Sequence, residues 1–517
     1  MKLFSFPSFI AAMMLLALSG GCKNTAPAET SLPRSTPEAE GVSSEALLTF
    51  LDSAAAGRHE FHSIMILRHG KVIAEGWWAP YRPDLRHTLY SVSKSFTSTA
   101  VGFAVTEKLL SVEDKVVSFF PDQLPDSVSP FLADMKIRDL LTMTAGQSPD
   151  PSNEITSSGR NWVPEFLSLP VVDDPGSRFL YNSMATFMLS AIVQKVTGEK
   201  VADYLQPRLF GPLGIEGIDW ETSPEGINAG GWGLRVKTED MAKFGQLYLQ
   251  KGMWNGKQII PAEWIEEATT FKIDQAPDAS PETKAENDWM QGYCYQFWRS
   301  RHNTYRADGA FGQYIMVMPE LDAVVAITSE SPDMQDVMNM VWNHILPAMK
   351  DEALPANPSA AEELTARLAS LALPVPANEE DSPVAETIRN NRFLLEENSL
   401  KLKYLTLDFA GDTCYLSLGN GETVRSIPFG RGEWITSGTE MAGPGILRRP
   451  GVSSSNQVAG AFTWEDDSTI VLTLRYIESP HHLKMTCRFD GDTADVRIRQ
   501  STPPGYDIPA LKGVMAR

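Results

Sequence analysis

Two β-hairpins set far apart in the chain constrain its fold more than any other feature. The first joins "SIMIL" to "KVIAEGWW" through a turn at Arg68-His69-Gly70-Lys71, and the second joins "QYIMVM" to "AVVAIT" through Pro319-Glu320-Leu321-Asp322. Between them helical patterns dominate. "ATFMLSAIVQKVTG" ends at Gly198 and "MAKFGQLYLQKG" at Gly252, each where a helix C-terminal glycine would sit. The pattern predicts an α+β fold in which one antiparallel sheet, built from both ends of a unit and flanked by helices, carries an inserted helical region.

That unit does not account for the whole chain. At 517 residues, two globular units are expected, and 43% hydrophobic content is ample for their cores. Near residue 350 the composition shifts to "LPANPSAAEELTARLASLALPVPANEEDSP", a linker over 351–382 with one helix, a capping box at Ser359 and Glu362, and an apolar stripe at Leu364, Leu368 and Leu371. From 383 to 517 apolar residues alternate: Cys414, Leu416 and Leu418; Ile470, Leu472 and Leu474; Leu483, Met485, Cys487 and Phe489. With turns at Gly419-Asn420-Gly421 and Asp490-Gly491-Asp492, this predicts a C-terminal antiparallel β domain.

The first 22 residues read as an export signal. Lys2 supplies charge, Phe9 to Leu18 an apolar run too short to span a bilayer, and small residues follow up to Cys22. A Pro- and Ser-rich tether over 23–36 leads into the first unit, 37–350. Against 45 Lys+Arg stand 65 Asp+Glu, and the net charge of −20 opposes broad binding to nucleic acid or anionic headgroups; small or neutral substrates fit better. Cys294, Cys414 and Cys487 form neither a C-x-x-C nor a cluster with histidines, so no metal or other cofactor is expected. Cys414 and Cys487 lie on the apolar phase of their strands, either as two buried thiols or as a disulfide. "HEFH" at His59 to His62 has one residue too few between its histidines for a zinc helix and reads as a solvated loop.

The chemistry-bearing stretch is "YSVSKSFTS", Tyr90 to Ser98. Phe96, Ala100, Phe103 and Ala104 repeat as a helix face turned to a core, so a helix begins near Ser91. Lys94 lies one turn beyond Ser91 on the same face, whereas Ser93 and Ser95 point elsewhere. Ser98 is also within reach of Lys94, but only Ser91 sits at the helix start, where unpaired N–H groups favour the charge an attacked carbonyl acquires. A serine hydroxyl needs a base, and a lysine held neutral can serve. The plainer alternative is a capping serine beside a solvated lysine. Ser91 to Lys94 is the one S-x-x-K in the chain.

These residues resemble the serine β-lactamase and penicillin-binding-protein superfamily, in its class C β-lactamase, D-aminopeptidase, esterase and 6-aminohexanoate-dimer hydrolase branch. The family pattern is S-x-x-K at a helix start, then Tyr-x-Asn, then Lys/His-x-Gly on a strand. "RFLYNSMATFMLSAIVQKVTG" places Tyr181 at the tyrosine, with Ser183 in place of the asparagine and Asn182 between them. "GGWGLRVKTEDMAKFGQLYLQKGMWNGKQIIP", Gly230 to Pro261, resembles the family's helical segment, and "ADGAFGQYIMVMPELDAVV" aligns Gly309 with the third motif and puts Ala307 where its cation stands. Alternation along that strand points Arg306 to the face opposite Ala307. "GQSPD" from Gly146 falls short of a G-x-S-x-G elbow and reads as a loop near the pocket.

The resemblance covers about 37–350 and implies a β-lactamase/transpeptidase-like fold with Ser91, Lys94 and Tyr181 as catalytic residues. It further implies an oxyanion hole from the N–H groups of Ser91 and Ala310, a phenol acidified by a cationic Lys94, and substrate contacts at Asn182, Ser183, Gly309, Ala310 and Gly312. "ALSGGC" is similar to a bacterial lipoprotein signal, which implies lipidation of Cys22 and attachment at the periplasmic face of a membrane; ordinary cleaved secretion is the alternative. The expected activity is hydrolysis of small ester, amide or D-amino-acid peptide substrates through an acyl-enzyme. A binding or sensor protein that keeps the pocket without turnover is the competing class, and a binding role of the C-terminal domain is a third.

Overall fold

The sheet that the two hairpins imply is present in the computed structural model, which describes residues 31–376, 382–441, 443, 456–502 and 507–516. The first hairpin supplies β1 (Glu60–Arg68) and β2 (Lys71–Trp77); the downstream region supplies β3 (Trp298–Ser300), β4 (Thr304–Gly309), β5 (Gln313–Met318) and β6 (Ala323–Glu330). Across the sheet the order is β2-β1-β6-β5-β4-β3, antiparallel throughout. The two ends of the unit meet at the β1–β6 pair, where Ile64 lies opposite Ile327 and Ile66 opposite Val325.

Both faces of the sheet are covered, which is why "SIMIL" is a continuous apolar run. Successive side chains alternate between two cores. Met65 and Leu67 pack with Phe96, Phe244, Ile315 and Val324, while Ile64 and Ile66 pack with Phe50, Met316, Val325 and Trp342. Burying one such large apolar side chain contributes roughly 1.5–3 kcal/mol. Helix α1 (Ser44–Ala56) covers the second face, and α2 (Ser93–Thr106), α3 (Ser183–Thr197) and α4 (Thr238–Leu249) build the first core. Helix α4 lies so close to the sheet that a Cβ on Gly245 would sit 2.6 Å from Val324 and 2.7 Å from Ile315. Phe96 of α2 stacks on Phe244 of α4 at 3.9 Å between centroids, which seats the Ser91-bearing segment against the sheet.

Beyond the linker, a 10-stranded sheet runs from Arg392–Leu395 to Asp507–Met515. The expected antiparallel β domain is present, and one short parallel pair closes it: strand Val424–Arg431 meets strand Asn456–Asp466, Gly430 opposite Ala461, and the sheet becomes a barrel. The apolar phase read from the sequence fills its interior, with Cys414, Leu416, Leu472, Leu474, Met485 and Cys487 in one core. The barrel is joined to the six-stranded sheet, because Ala459 and Ile477 belong to the second sheet core.

Two local expectations fail. "HEFH" is not a solvated loop: it opens β1, with His62 stacked on Tyr81 at 3.9 Å and hydrogen-bonded to His87 at 3.1 Å, and His59 bonded to Ser331 at 2.7 Å. Both rings are buried because neighbours satisfy their nitrogens, an arrangement local polarity does not reveal. The linker helix spans Pro358–Ala369, and Asn357 rather than Ser359 caps it, accepting from the Ala360 N–H at 3.3 Å. Proline at the first helical position puts the cap two residues upstream of Ser359.

Cys294, Cys414 and Cys487 are buried free thiols. Burial pushes the Cys294 and Cys487 thiols up to about 12 and raises Cys414 as well, so all three are poor nucleophiles in the folded state. Without reductant, each is expected to resist a maleimide in native protein and to react fully after denaturation. A tryptic peptide linking Cys414 to Cys487 would contradict this arrangement.

Candidate active site

The segment Leu89 to Lys94 changes helix type, and that change aligns its chemistry. Tyr90–Val92 forms a 3-10 turn that runs into α2 at Ser93. In a 3-10 turn residues three apart eclipse, so Ser91 and Lys94 share one line. Lys94 Nζ lies 3.0 Å from Ser91 Oγ, 3.0 Å from Ser183 Oγ and 2.7 Å from the Gly231 carbonyl oxygen. It also sits over the Tyr181 ring, 4.8 Å from the centroid. Ser93 accepts from the Leu234 N–H and Ser95 donates to the Gln296 carbonyl, so both turn away from Ser91.

The lysine is buried, contrary to the solvated alternative. Burial pushes its pKa down to about 7, against the opposing pull of the Asp150 and Asp308 carboxylates. Near neutral pH it is therefore partly an amine. As an ammonium it donates to all three oxygens; as an amine it keeps two N–H donors and offers a lone pair. The Gly231 carbonyl can only accept, so the hydroxyl that yields its proton to the lone pair is a serine's.

Tyr181 departs from the expected acidic phenol. Burial raises it well above the ordinary range, and the hydrogen bond with Ser91 recovers only part of that rise. The phenol therefore holds its proton. Tyr181 stacks on Trp298 with centroids 5.7 Å apart, and Phe179 and Tyr293 complete an aromatic wall. Ser183, at the position of the family's asparagine, receives Lys94 directly.

Asn182 does not join this group. Its carboxamide oxygen caps α3, accepting from the N–H groups of Met184 and Ala185, and its nitrogen donates to Gln147 at 2.9 Å. Buried and fully engaged, it is committed to holding the helix start in place. The bond to Gln147 also ties the "GQSPD" loop to α3, and Asp150 from that loop acts on both Lys94 and Tyr181.

The third-motif residues lie beside the 3-10 turn. A Cβ on Gly309 would sit 2.3 Å from the Leu89 carbonyl oxygen, so only glycine lets the end of β4 approach this closely. Gly312 has φ +89, and a Cβ there would lie 2.4 Å from Ser329 Oγ. Between them Ala310 is partly exposed, and its carbonyl accepts from Gln313 at 3.0 Å. Ala307 is buried opposite Ile315. Arg306 is bound to Asp308 at 2.8 Å and to Ser300 at 2.6 Å, and Arg299 donates to Asn303 at 2.6 Å, so both cations have partners away from position 307.

Sequence reasoning missed Gly231 and Asp308. Gly231 lies inside the quoted "GGWG" stretch, but a carbonyl acceptor leaves no mark in residue type. Asp308 occupies the middle of the third motif and is visible only once the strand is folded.

Residues 54–348 match the family model described as Beta-lactamase. The 6-aminohexanoate-dimer hydrolase of Paenarthrobacter ureafaciens is 26% identical over 289 residues, covering 52% of this chain and 73% of that protein. The Beta-lactamase of Escherichia coli (strain K12) is 24% identical over 222 residues, covering 36% of this chain and 56% of its own length. A solved structure from Bacillus anthracis aligns over 63% of this chain and 89% of that one with a TM-score of 0.51; at 20% identity this is a likeness of fold. The family match spans more than half of the sequence and contains every residue gathered around Lys94, and on it rests the conclusion that the chain belongs to the Beta-lactamase family of serine hydrolases.

Proposed function

We propose that the protein forms an acyl-enzyme at Ser91, with Lys94 as base and Tyr181 as the group that passes the proton on. The observation that carries this reading is the buried Lys94 amine, held within hydrogen-bond distance of both Ser91 and Ser183 at a pKa of about 7. The neutral amine takes the Ser91 proton as Oγ attacks the substrate carbonyl. Negative charge then gathers on the carbonyl oxygen, for which the N–H groups of Ser91 and Ala310 are the proposed donors. As the bond to the leaving group breaks, the protonated Tyr181 phenol donates to it, and the proton that Lys94 took from Ser91 restores the phenol. Water attacks the ester, and the same groups return the proton.

Esters, amides and D-amino-acid peptides are the proposed substrates, in line with the amide chemistry in the name of the dimer-hydrolase relative. A substrate carboxylate finds no cation at Ala307, and Arg306 is spent on Asp308. A charge-assisted hydrogen bond is worth roughly 1.5–3 kcal/mol, so its lack weakens selection for β-lactams and D-alanyl peptides. The first 22 residues support export, with anchoring through Cys22, which lies outside the described residues; among those residues no helix is long and apolar enough to cross a membrane. The proposed division is a hydrolase domain over 37–350, a linker over 351–382 and the barrel domain over 383–517.

A fluorophosphonate is expected to label Ser91, and Ser91→Ala to lower ester turnover by at least ~100-fold with folding intact. An adduct on another residue would refute the assignment. Because Lys94 acts as the neutral amine, kcat/KM should rise with pH through about 7 and level off above it. A profile flat from pH 5 to about 9 would remove Lys94 as the base. On one preparation, kcat/KM for a short-chain p-nitrophenyl ester should exceed that for nitrocefin; the reverse order would show that a carboxylate-binding cation operates in the site.

A further inference from the structure

The barrel reaches the hydrolase site through the turn between strands Thr469–Tyr476 and His482–Asp490. This turn is braced from both sides. Within itself, the Tyr476 N–H donates to the His481 carbonyl at 3.0 Å and the His481 N–H to Ser479 Oγ at 3.2 Å. Toward the hydrolase, the Thr88 N–H donates to the Glu478 carbonyl at 2.9 Å, Arg86 and Arg235 donate to the Glu478 carboxylate, and Tyr81 donates to the Ser479 carbonyl at 2.9 Å. At the base of the turn, directly before strand His482–Asp490, is His481, fully buried.

The His481 ring meets two residues at once. Its Nε2 is hydrogen-bonded to the Tyr90 hydroxyl, and its Nδ1 lies 2.8 Å from the Glu330 carboxylate at the end of β6. Burial raises the Tyr90 phenol, so it keeps its proton and donates. Burial also works to raise Glu330, but hydrogen bonds from His481 and His482 overcome it and hold the carboxyl below the ordinary range, as an acceptor. These roles fix the histidine tautomer: Nδ1–H toward Glu330, Nε2 open to Tyr90. The ring also packs edge-on against Phe311, centroids 4.9 Å apart, and Phe311 packs against Tyr90 at 5.3 Å.

Tyr90 and Phe311 are also among the non-glycine residues with a left-handed backbone. Their φ angles are +50 and +66, in the left-handed region that large side chains avoid. Tyr90 precedes Ser91, and Phe311 follows Ala310. Each therefore fixes the peptide geometry beside one of the two proposed oxyanion donors, and one histidine from the other domain touches both.

We propose that His481 is a positioning residue of the hydrolase site: by clamping Tyr90 and Phe311 in their left-handed conformations, it aims the Ser91 and Ala310 N–H groups at a common oxyanion. The barrel then completes the active site. The proposal rests on the Ser91 reading, and one set of measurements separates the two.

Full-length His481→Ala and Tyr90→Phe are compared with the unaltered protein in p-nitrophenyl butyrate kinetics and in the rate of fluorophosphonate labelling. A misplacement of about 1 Å can cost 100-fold, so His481→Ala should lose roughly 10- to 100-fold in kcat and in labelling rate, with KM little changed. Tyr90→Phe keeps the ring and loses only the hydroxyl, so a smaller fall in kcat is expected, and the double variant should be no worse than His481→Ala. Equal kcat in folded His481→Ala and unaltered protein overturns the proposal, as does a rise in KM with kcat unchanged. If His481→Ala does not fold, Tyr90→Phe decides, and unchanged kcat there overturns it. Unaltered protein that labels elsewhere than Ser91 refutes the Ser91 reading and this inference with it; equal labelling of Ser91 in all variants refutes this inference alone.

Discussion

The site depends on one constraint, that a lysine is held where water does not reach it. A charged Lys94 with no access to solvent is costly, and the surroundings respond with oxygen acceptors and with distant rather than contacting carboxylates. Asp150 and Asp308 act on it through space, each partly offsetting the burial. A carboxylate in direct contact would have fixed the proton on the amine and ruled out its proposed use as a base. The balance instead leaves Lys94 near neutrality, at about 7. Tyr181, in the same dry setting, is pushed the opposite way, so the proposed base and acid are separated by the sign of their shifts.

The sheet holds this balance in place. Its β1–β6 pair joins the two ends of the hydrolase unit, so the strands near the site are held by segments far apart in the chain. Helix α2 is pinned to α4 by the Phe96–Phe244 stack, and α4 is pressed onto β5 and β6 at Gly245. Along that chain of contacts the position of Ser91 relative to Gly309 is determined. Gly309 admits the Leu89 carbonyl where any side chain would clash, so the close approach of strand and turn is steric before it is chemical.

Much of this was legible in the sequence because it is written in periodicity. The hairpins, the helix end at Gly198 and the alternating barrel strands appear where the pattern puts them, whereas α4 ends at Leu249, with Lys251 and not Gly252 as its first left-handed residue. The spacing of Ser91 and Lys94 is likewise a local fact. What escaped depends on contacts between distant segments. His59 and His62 look solvated until Ser331, Tyr81 and His87 fold against them. Asn182 looks free until its carboxamide is seen to cap α3 and bind Gln147. Barrel closure through Gly430 and Ala461 leaves no trace in alternation, since the pairing that closes a sheet is decided by its twist and not by its phase.

The junction between the domains shows why the barrel is more than an appended weight. Its apolar share is Ala459, Ile477 and the half-buried Trp434, while its polar share is larger: Arg475 with Glu60, Glu478 with Arg86 and Arg235, and Glu330 with His481 and His482. Buried ion pairs recover little net stability after desolvation, but breaking one by removing a partner costs about 3–5 kcal/mol. An interface of this kind penalises misalignment more than it rewards association. Greasy contact would have tolerated a slipped or rotated barrel; matched charges admit one seating. That seating places the His481 turn against Tyr90 and Phe311, the two left-handed residues that flank the proposed oxyanion donors. Selection for a register, rather than for extra stability, is what the composition of the junction fits best.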